Sequence, residues 1–427
     1  MALEKLSLFT SKKEFFTLLA LLGSILFYSL LIEYHTYKDL KYFDYTIVDA
    51  TVLSQYKKTK TSESGITRRY HILKLKADAG YIFYTNRALD FEDIKGKKLR
   101  LILWPQDLDF KSYMRSFYGY SRVLSIEHSL SLKEQLEHSI EKLHPNEDIA
   151  TIYKALYLAT PMSYKLYSVA SNLGISHLFA LSGFHLGVLG FVLFFLFKYP
   201  YKFLQNRYFP HRSYKLDSFV FVSVTLLVYL LFLDAPASLL RAFVMLVVGF
   251  FLYDRAYKII SMQTLLLTVL LILSFFPRLF FALGFWLSVA GVFYIFLFLL
   301  YFKHLSTLKQ FLLIPIWVYL MMLPYSLFIF ENFSFYHPLS MLWTSLFTLF
   351  YPLSIFLHLF GFAGGLDFAL ELLLELGEES WDVRIAPYLF YIYILSSLLS
   401  IRTKLWMWVS LAMASGVFLY AFFGISF

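Results

Sequence analysis

The sequence predicts an all-α polytopic membrane domain of about nine spans plus a re-entrant or broken segment, with one small inserted β-barrel of the OB-like kind. Three observations predict it. Hydrophobic residues are 59% of the 427 and charged residues only 16%. Several stretches reach the roughly 20 apolar residues that a helix needs to cross a bilayer core of about 30 Å. One region alone, from about 42 to 144, is polar and rich in short alternating runs. The 48 Phe and 33 Tyr suit lipid-facing and interfacial positions. The absence of cysteine excludes disulfides, thiolate metal sites and thiol catalysis. No metal, cofactor or catalytic residue is expected.

Residues 1–40 read as an N-terminal transmembrane anchor. The apolar stretch 15–32 follows Lys12 and Lys13, is too long for a signal-peptide core, and precedes Glu33, Tyr34 and His35 rather than a small-residue cleavage site. Residues 41–130 read as a periplasmic β-domain. Runs at 45–56, 69–78, 80–88, 98–105 and 122–130 are rich in β-branched and aromatic residues and bounded by turn signals. Leu73-Lys74-Leu75-Lys76 alternates like a half-buried strand, Asp78-Ala79-Gly80 suits a hairpin connection, and 62–65 suits an exposed loop. Five short strands in about 90 residues suit a small barrel. Residues 131–173 are interfacial and connecting helices, the first carrying Leu132, Leu136, Ile140 and Leu143 on one face.

Residues 174–362 form the main helical domain, and 363–427 an amphipathic helix followed by two C-terminal spans. Spans are expected at about 174–198, 216–233, 236–253, 259–276, 281–302, 310–330, 386–401 and 404–425. Basic residues gather in alternate loops: Lys198, Lys202, Arg207, Arg212 and Lys215, then Arg255 and Lys258, Lys303 and Lys309, and Arg402 and Lys404, with Arg278 and Arg384 the exceptions in the intervening turns. That alternation puts the N-terminus in the cytoplasm and the β-domain outside. Segment 335–362 is long enough to cross, but one crossing would break the alternation, and Pro338 and Pro352 interrupt it. It is expected to be re-entrant or broken. Asp367, Glu371, Glu375 and Glu378 then mark the polar face of a helix whose other face carries Leu366, Leu370, Leu373 and Leu376.

The run GISHLFALSGFHLGVL at 174–189 holds polar groups where lipid would surround a span. His177, Ser182 and His185 must face a cavity or one another, and Gly174, Gly183 and Gly187 permit close approach or a helix break. Ser182 and His185, three apart, share a helical face if the backbone stays helical, as a packing hydrogen bond or as a nucleophile and base. Arg241 lies about five residues inside its span, where a charge costs roughly 2.5–3.5 kcal/mol. It either snorkels outward or lines a wet path, with Asp234 a candidate ion-pair partner. In the β-domain, Lys57, Lys58, Arg68, Arg69, Lys74 and Arg87 interleave with Tyr81 and Tyr84. Basic residues that track phosphates and rings that stack bases would look like this, and so would a solvated strand face.

The run at 174–189 also resembles the integral-membrane competence domain of the ComEC family, whose signature reads roughly G-[IL]-x-H-L-[LF]-A-[IL]-S-G-[LF]-H. KALYLATPMSYKLYSVASN at 154–172 stands in the place of the family's approach segment. PASLLRAFVM at 236–245 is similar to its P-[AS]-x-x-R-A-x-x-M run, with one more residue between proline and arginine. Gly284-Phe285-Trp286-Leu287-Ser288 is similar to its G-F-Q-L-S. Asp234 stands where the family commonly has glycine, and Trp286 where it has glutamine. The sequence ends at Phe427 without an H-x-H-x-D-H cluster, which suggests a short form lacking the C-terminal metallo-β-lactamase-like domain.

The resemblance implies an inner-membrane channel that brings single-stranded DNA inward during natural transformation, with no enzymatic activity of its own. His177, Ser182, Gly183, His185, Asp234, Arg241, Gly284 and Ser288 would line or shape the path. It implies a periplasmic DNA-delivery protein, a cytoplasmic motor or strand-binding protein, a lipid bilayer, and an oligomeric state left open. A lipid or envelope-polymer transporter and an intramembrane serine hydrolase are the alternatives.

Overall fold

The computed structural model of the chain describes residues 11–61, 67–88, 94–105, 108–127, 132–209, 211–255, 260–377 and 379–423. The expected loop at 62–65, Lys258 and Glu378 lie outside them, as does the side chain of Arg68. The fold is mostly helical with a small N-terminal sheet, and it separates into two compact units. One comprises Ser11–Ser139 with Leu270–Ala282, the other Ile140–Val269 with Leu283–Phe427.

The first unit starts with α1 (Lys12–Tyr42), whose Ser11 Oγ accepts the Glu14 N–H at 3.2 Å. Its 31 residues span about 46 Å, more than a bilayer core, so the helix outlasts its apolar stretch. The last turns pack on the sheet. Leu40 joins the core, and Tyr37 and Lys41 donate to the Leu108 carbonyl at 2.8 and 3.1 Å.

The sheet comprises β1 (Thr46–Thr61), β2 (Thr67–Ala77), β3 (Ile82–Arg87), β4 (Lys98–Trp104), β5 (Phe117–Tyr118) and β6 (Tyr120–Ile126), ordered β5-β3-β2-β1-β4-β6. The five expected strands are present within a few residues of their expected bounds. Not foreseen were β5 and the short helix α2 (Phe110–Arg115). β5 pairs in parallel with β3, β6 pairs antiparallel with β4, and Gly119 alone separates β5 from β6. One run of chain therefore joins both edges. Ser121 Oγ donates to Thr85 Oγ1 at 2.9 Å, and Arg87 Nη1 to the Ser121 carbonyl at 2.9 Å.

Alternation puts Val48, Ala50, Val52, Leu73, Leu75, Phe83, Leu99, Leu101 and Leu103 into one core. Beneath them, Arg278 from the short 3₁₀ turn Pro277–Phe281 forks onto Glu33 of α1, Nε to Oε1 at 2.7 Å and Nη2 to Oε2 at 2.5 Å. The same Nη2 donates to Tyr113 Oη at 2.7 Å, and burial pushes that phenol up to about 12.

The second unit is helical, with α3 (Leu132–Leu143) running into it from the first. The following elements are α4 (Glu147–Leu158), α5 (Tyr164–Asn172), α6 (Ser176–Phe179), α7 (Gly183–Tyr208), α8 (Tyr214–Phe232) and α9 (Ala237–Asp254). α10 (Met262–Phe275) is shared with the first unit. Then come α11 (Leu283–Phe302), α12 (Thr307–Phe330), α13 (Ser340–Leu359), α14 (Asp367–Glu375), α15 (Pro387–Leu399) and α16 (Lys404–Phe422). Among the described residues eight helical segments are long and apolar enough to cross a membrane, while α10 and α15 are apolar but shorter.

Segment 335–362 departs from expectation in one respect. Pro338 sits in a 3₁₀ turn, but Pro352 lies inside α13, which runs unbroken through it. The chain nevertheless returns to where it left. Asn172 bonds both Asn332, before α13, at 2.8 Å and the Gly377 carbonyl, after α14, at 2.9 Å. The strand pair β7 (Asn332–Phe333) and β8 (Trp381–Asp382) and the Glu331–Arg384 ion pair at 2.9 Å fasten the same end.

Arg278 and Glu33 are each less than one-fifth exposed, so removing one strands the other. Arg278→Leu is expected to lower stability by about 1–3 kcal/mol. The double variant with Glu33→Leu should recover part of it, measured by thermal unfolding of the purified chain in detergent.

Candidate functional site

The stretch at 174–189 folds as a short helix, a break and a long helix. Ser182 is the N-cap of α7, its Oγ accepting the Phe184 N–H at 3.3 Å. His185 closes the cap from the other side, its Nδ1 accepting the Ser182 N–H at 3.0 Å and lying 2.9 Å from Ser182 Oγ. This reciprocal arrangement is a capping box with histidine in the usual Glu/Gln place. The condition for a shared helical face is not met, because Ser182 is extended at φ −127° and stands outside the helix. Since Nδ1 accepts from a backbone N–H, the imidazole proton sits on Nε2. His185 is 1% exposed, seated edge-on to Tyr351 at 4.6 Å and Phe347 at 5.5 Å. Its Nε2 has no hydrogen-bond partner among the described residues.

The three sequence motifs converge beside this cap. Ser238, at the start of α9, donates to the Leu181 carbonyl at 2.6 Å. One turn on, Arg241 is 5% exposed, its Nε donating to Ser288 Oγ at 2.8 Å and its Nη1 to Met245 Sδ at 2.9 Å. A Cβ on Gly183 would stand 2.9 Å from Ala242 Cβ and 3.1 Å from Arg241 Nη2. Glycine thus lets the first turn of α7 lie against α9. The structure therefore brings together Ser182, Gly183, His185, Arg241 and Ser288. It does not make close approaches of Gly187 or Gly284, where an added methyl would meet nothing within 4 Å.

Asp234 and Ala235 occupy the left-handed region at φ 62° and 50°, in the turn between α8 and α9. Glycine adopts that geometry without strain and aspartate tolerates it, so Asp234 serves there as a turn residue. His177 is exposed and its Nε2 lies 3.3 Å from Thr344 Oγ1 of α13. Gly174, at φ +68°, leaves room for His337, whose ring atoms would stand 2.7–3.0 Å from an added Cβ.

In the β-domain the pairing sorts the expected contact residues onto opposite faces, since directly paired residues point the same way. Lys58 opposite Tyr70, Tyr56 opposite Ile72, and Lys74 opposite Tyr84 share one face. Tyr84 stacks at 6.4 Å on Tyr118, which is 55% exposed. Lys57 opposite His71, Arg69 opposite Thr59, and Arg87 opposite His71 share the other. Arg87 is spent on the Ser121 carbonyl and hydroxyl at 2.9 and 3.0 Å. Tyr81 is not a surface ring: it is 3% exposed, in the core, with Arg278 over its face at 5.9 Å. Tyr118 was missed because its two-residue strand gives no alternation to read. Burial raises the Tyr56 phenol and pushes Tyr118 up to about 12, so both rings keep neutral hydroxyls, and burial lowers the Lys74 ammonium.

A second polar cluster was not foreseen. His144 Nδ1 lies 2.9 Å from Asp367 Oδ2, and His144 Nε2 lies 3.0 Å from His358 Nε2. Asp367, expected on the solvated face of α14, is instead turned in to His144, whose side chain is fully buried. The three residues come from separate parts of the sequence, and 223 positions separate His144 from Asp367. Among the described residues no group of three or more His, Asp or Glu could hold a metal ion.

A family model described as Competence protein matches residues 160–426. No curated protein and no solved structure matches the chain. The matched stretch contains all three converging motifs.

Substitutions at the glycines separate these roles. Gly174→Ala is expected to cost the most, because it meets both a positive φ and the His337 ring, and Gly183→Ala about 1–3 kcal/mol through forced separation of α7 and α9. Gly187→Ala should be neutral. Thermal melts in detergent rank the three.

Proposed function

Because the chain belongs to the competence-protein family, we propose that this multi-pass membrane protein is a channel carrying single-stranded DNA inward across the inner membrane during natural transformation. The observation that carries the reading is the meeting of the three family-like motifs at Arg241. A buried guanidinium held by a hydroxyl and a thioether, with Nη2 making no hydrogen bond among the described residues, keeps donor capacity for a phosphate. Ser182, Gly183, His185 and Ser288 shape that point. His177, Asp234 and Gly284 belong to the walls and turns around it.

The alternation of basic loops supports a cytoplasmic N-terminus, a periplasmic β-domain and no net crossing by segment 335–362. On that count α10 and α15 also cross, giving about nine spans. The joined sheet edges support a closed OB-like barrel, whose second and third strands and adjoining loops are the usual strand-binding surface. Here those strands carry Tyr70, Lys74 and Tyr84, with Tyr56, Lys58 and Tyr118 beside them.

Each negative charge moved against an inside-negative potential costs about 2.3 kcal/mol per 100 mV. The sequence holds no G-x-x-x-x-G-K-[ST] loop. The reading therefore includes a periplasmic delivery protein and a cytoplasmic motor or strand-binding ratchet. It assigns no enzymatic activity, because the one lone pair of His185 Nδ1 is engaged by the cap and is not free to act as a base.

Labelled transforming DNA tests the channel, with periplasmic and cytoplasmic entry scored separately. Deletion and well-expressed Arg241→Ala should leave periplasmic entry intact and cut cytoplasmic entry at least about tenfold. Ser182→Ala should conduct once folded, and its failure there would favour the hydrolase. Cytoplasmic entry that survives deletion sinks the channel and favours the envelope-polymer transporter. Separately, Tyr84→Ala and Tyr118→Ala should each weaken oligonucleotide binding by about 1–3 kcal/mol, read by fluorescence anisotropy on the full chain in nanodiscs.

A further inference from the structure

The His144–His358–Asp367 cluster can be counted proton by proton. His358 Nδ1 lies 2.7 Å from the Ser354 carbonyl, which only accepts, so this nitrogen carries a proton. Tyr157 Oη cannot supply it, because its hydrogen goes to Ser354 Oγ at 2.9 Å, whose own goes to the Tyr351 carbonyl at 2.8 Å. The 3.0 Å approach of the two Nε2 atoms needs a second proton, on one side only. The 2.9 Å contact from His144 Nδ1 to Asp367 Oδ2 needs a third. Two neutral imidazoles and an ionised carboxylate supply only two. The three contacts together require one more.

We infer that His144, His358 and Asp367 form a binding site for a single proton, and that its occupancy holds the α13–α14 hairpin onto α4. The extra proton rests on His144, between the Asp367 carboxylate and the bare Nε2 of His358, so the occupied site is a neutral ion pair plus a neutral imidazole. Removing the proton leaves a buried negative cluster with two hydrogen bonds in place of three. Adding another would set two N–H groups head to head across 3.0 Å. The pair of imidazoles therefore takes no more than one proton beyond its neutral complement.

Aromatic rings enclose the two imidazoles. Tyr153 stacks on His144 at 4.4 Å and stands edge-on to His358 at 4.6 Å. Tyr157 lies 3.3 Å from His358 Nδ1. Charged groups on the elements packed around the site include Glu371 of α14, which accepts from Asn146 at 3.1 Å, and Glu141 of α3, paired with Lys154 of α4 at 2.6 Å. The site joins three pieces of chain: the α3–α4 junction, the end of α13 and the start of α14. Two turns before His358, α13 presents Tyr351 to His185, with Phe347 one turn earlier. Proton occupancy thus bears on the helix that walls the α7 cap.

Backbone amide exchange over residues 359–377 of the full chain in lipid nanodiscs, corrected for intrinsic rates, tests the inference without DNA. Protection should fall at least about tenfold as the pH is raised and the proton leaves. Asp367→Asn removes the balancing charge and should move that loss to lower pH, while His144→Gln should abolish the pH dependence. Flat protection in the unaltered chain, or a pH dependence that both variants retain, overturns the site. If a variant does not fold, ring ¹⁵N shifts of the unaltered chain decide. Both His144 nitrogens should be protonated under the conditions in which residues 359–377 are fully protected. A bare nitrogen on His144 there overturns the inference.

Discussion

A polar group placed among apolar helices must find its partner inside the protein, and most of the helical unit is arranged around that requirement. Asn172 is the plainest case. Its side chain donates to the Gly377 carbonyl and accepts from Asn332, while its carbonyl accepts from Ser334 at 2.7 Å. One amide thereby closes the loop through which the chain leaves for α13 and returns from α14. Tyr294 with Ser397, Ser396 with Ser410, and Tyr393 with the Met321 carbonyl do the same between α11, α12, α15 and α16. Packing alone gives little directional preference between helices in hydrocarbon, so these pairs set register.

The sheet obeys a different rule, and more of it was legible. Alternation at Leu73–Lys76 and turn residues at Asp78–Gly80 are local signals for β2 and its hairpin with β3, and runs of β-branched and aromatic residues mark the other expected strands. Which rings face solvent was less legible. Tyr81 precedes its strand and falls into the core, while Tyr118 belongs to a two-residue strand after an unforeseen helix. The irregular register between Val52 and Ser54 decides which of Lys57 and Lys58 joins the tyrosine face. A bulge of this kind moves every later side chain on its strand to the other face, and composition does not show it.

In the helical unit the motif residues were legible as a group and their contacts were not. Ser182 and His185 carry the spacing of a capping box, but an apolar setting and a histidine in the acid's place hid it. Pro352 signals a break in sequence, yet α13 passes through it, because a helix held by neighbours on several sides tolerates one lost hydrogen bond. His144, His358 and Asp367 had no local signature, since each becomes chemically distinctive only beside the other two.

Arg241 shows why such contacts matter to the channel reading. A carboxylate partner would neutralise the guanidinium and leave a passing phosphate nothing to gain. A hydroxyl and a thioether satisfy two of its donors without cancelling its charge. The same holding is weak enough for the charge to stay expensive, which is consistent with Gly183 and Ala242 closing tightly around it. A site that conducts must attract its ion without trapping it. On the proposed channel reading, a single guanidinium braced by neutral groups would meet both demands, whereas a cluster of arginines would hold a polyanion fast.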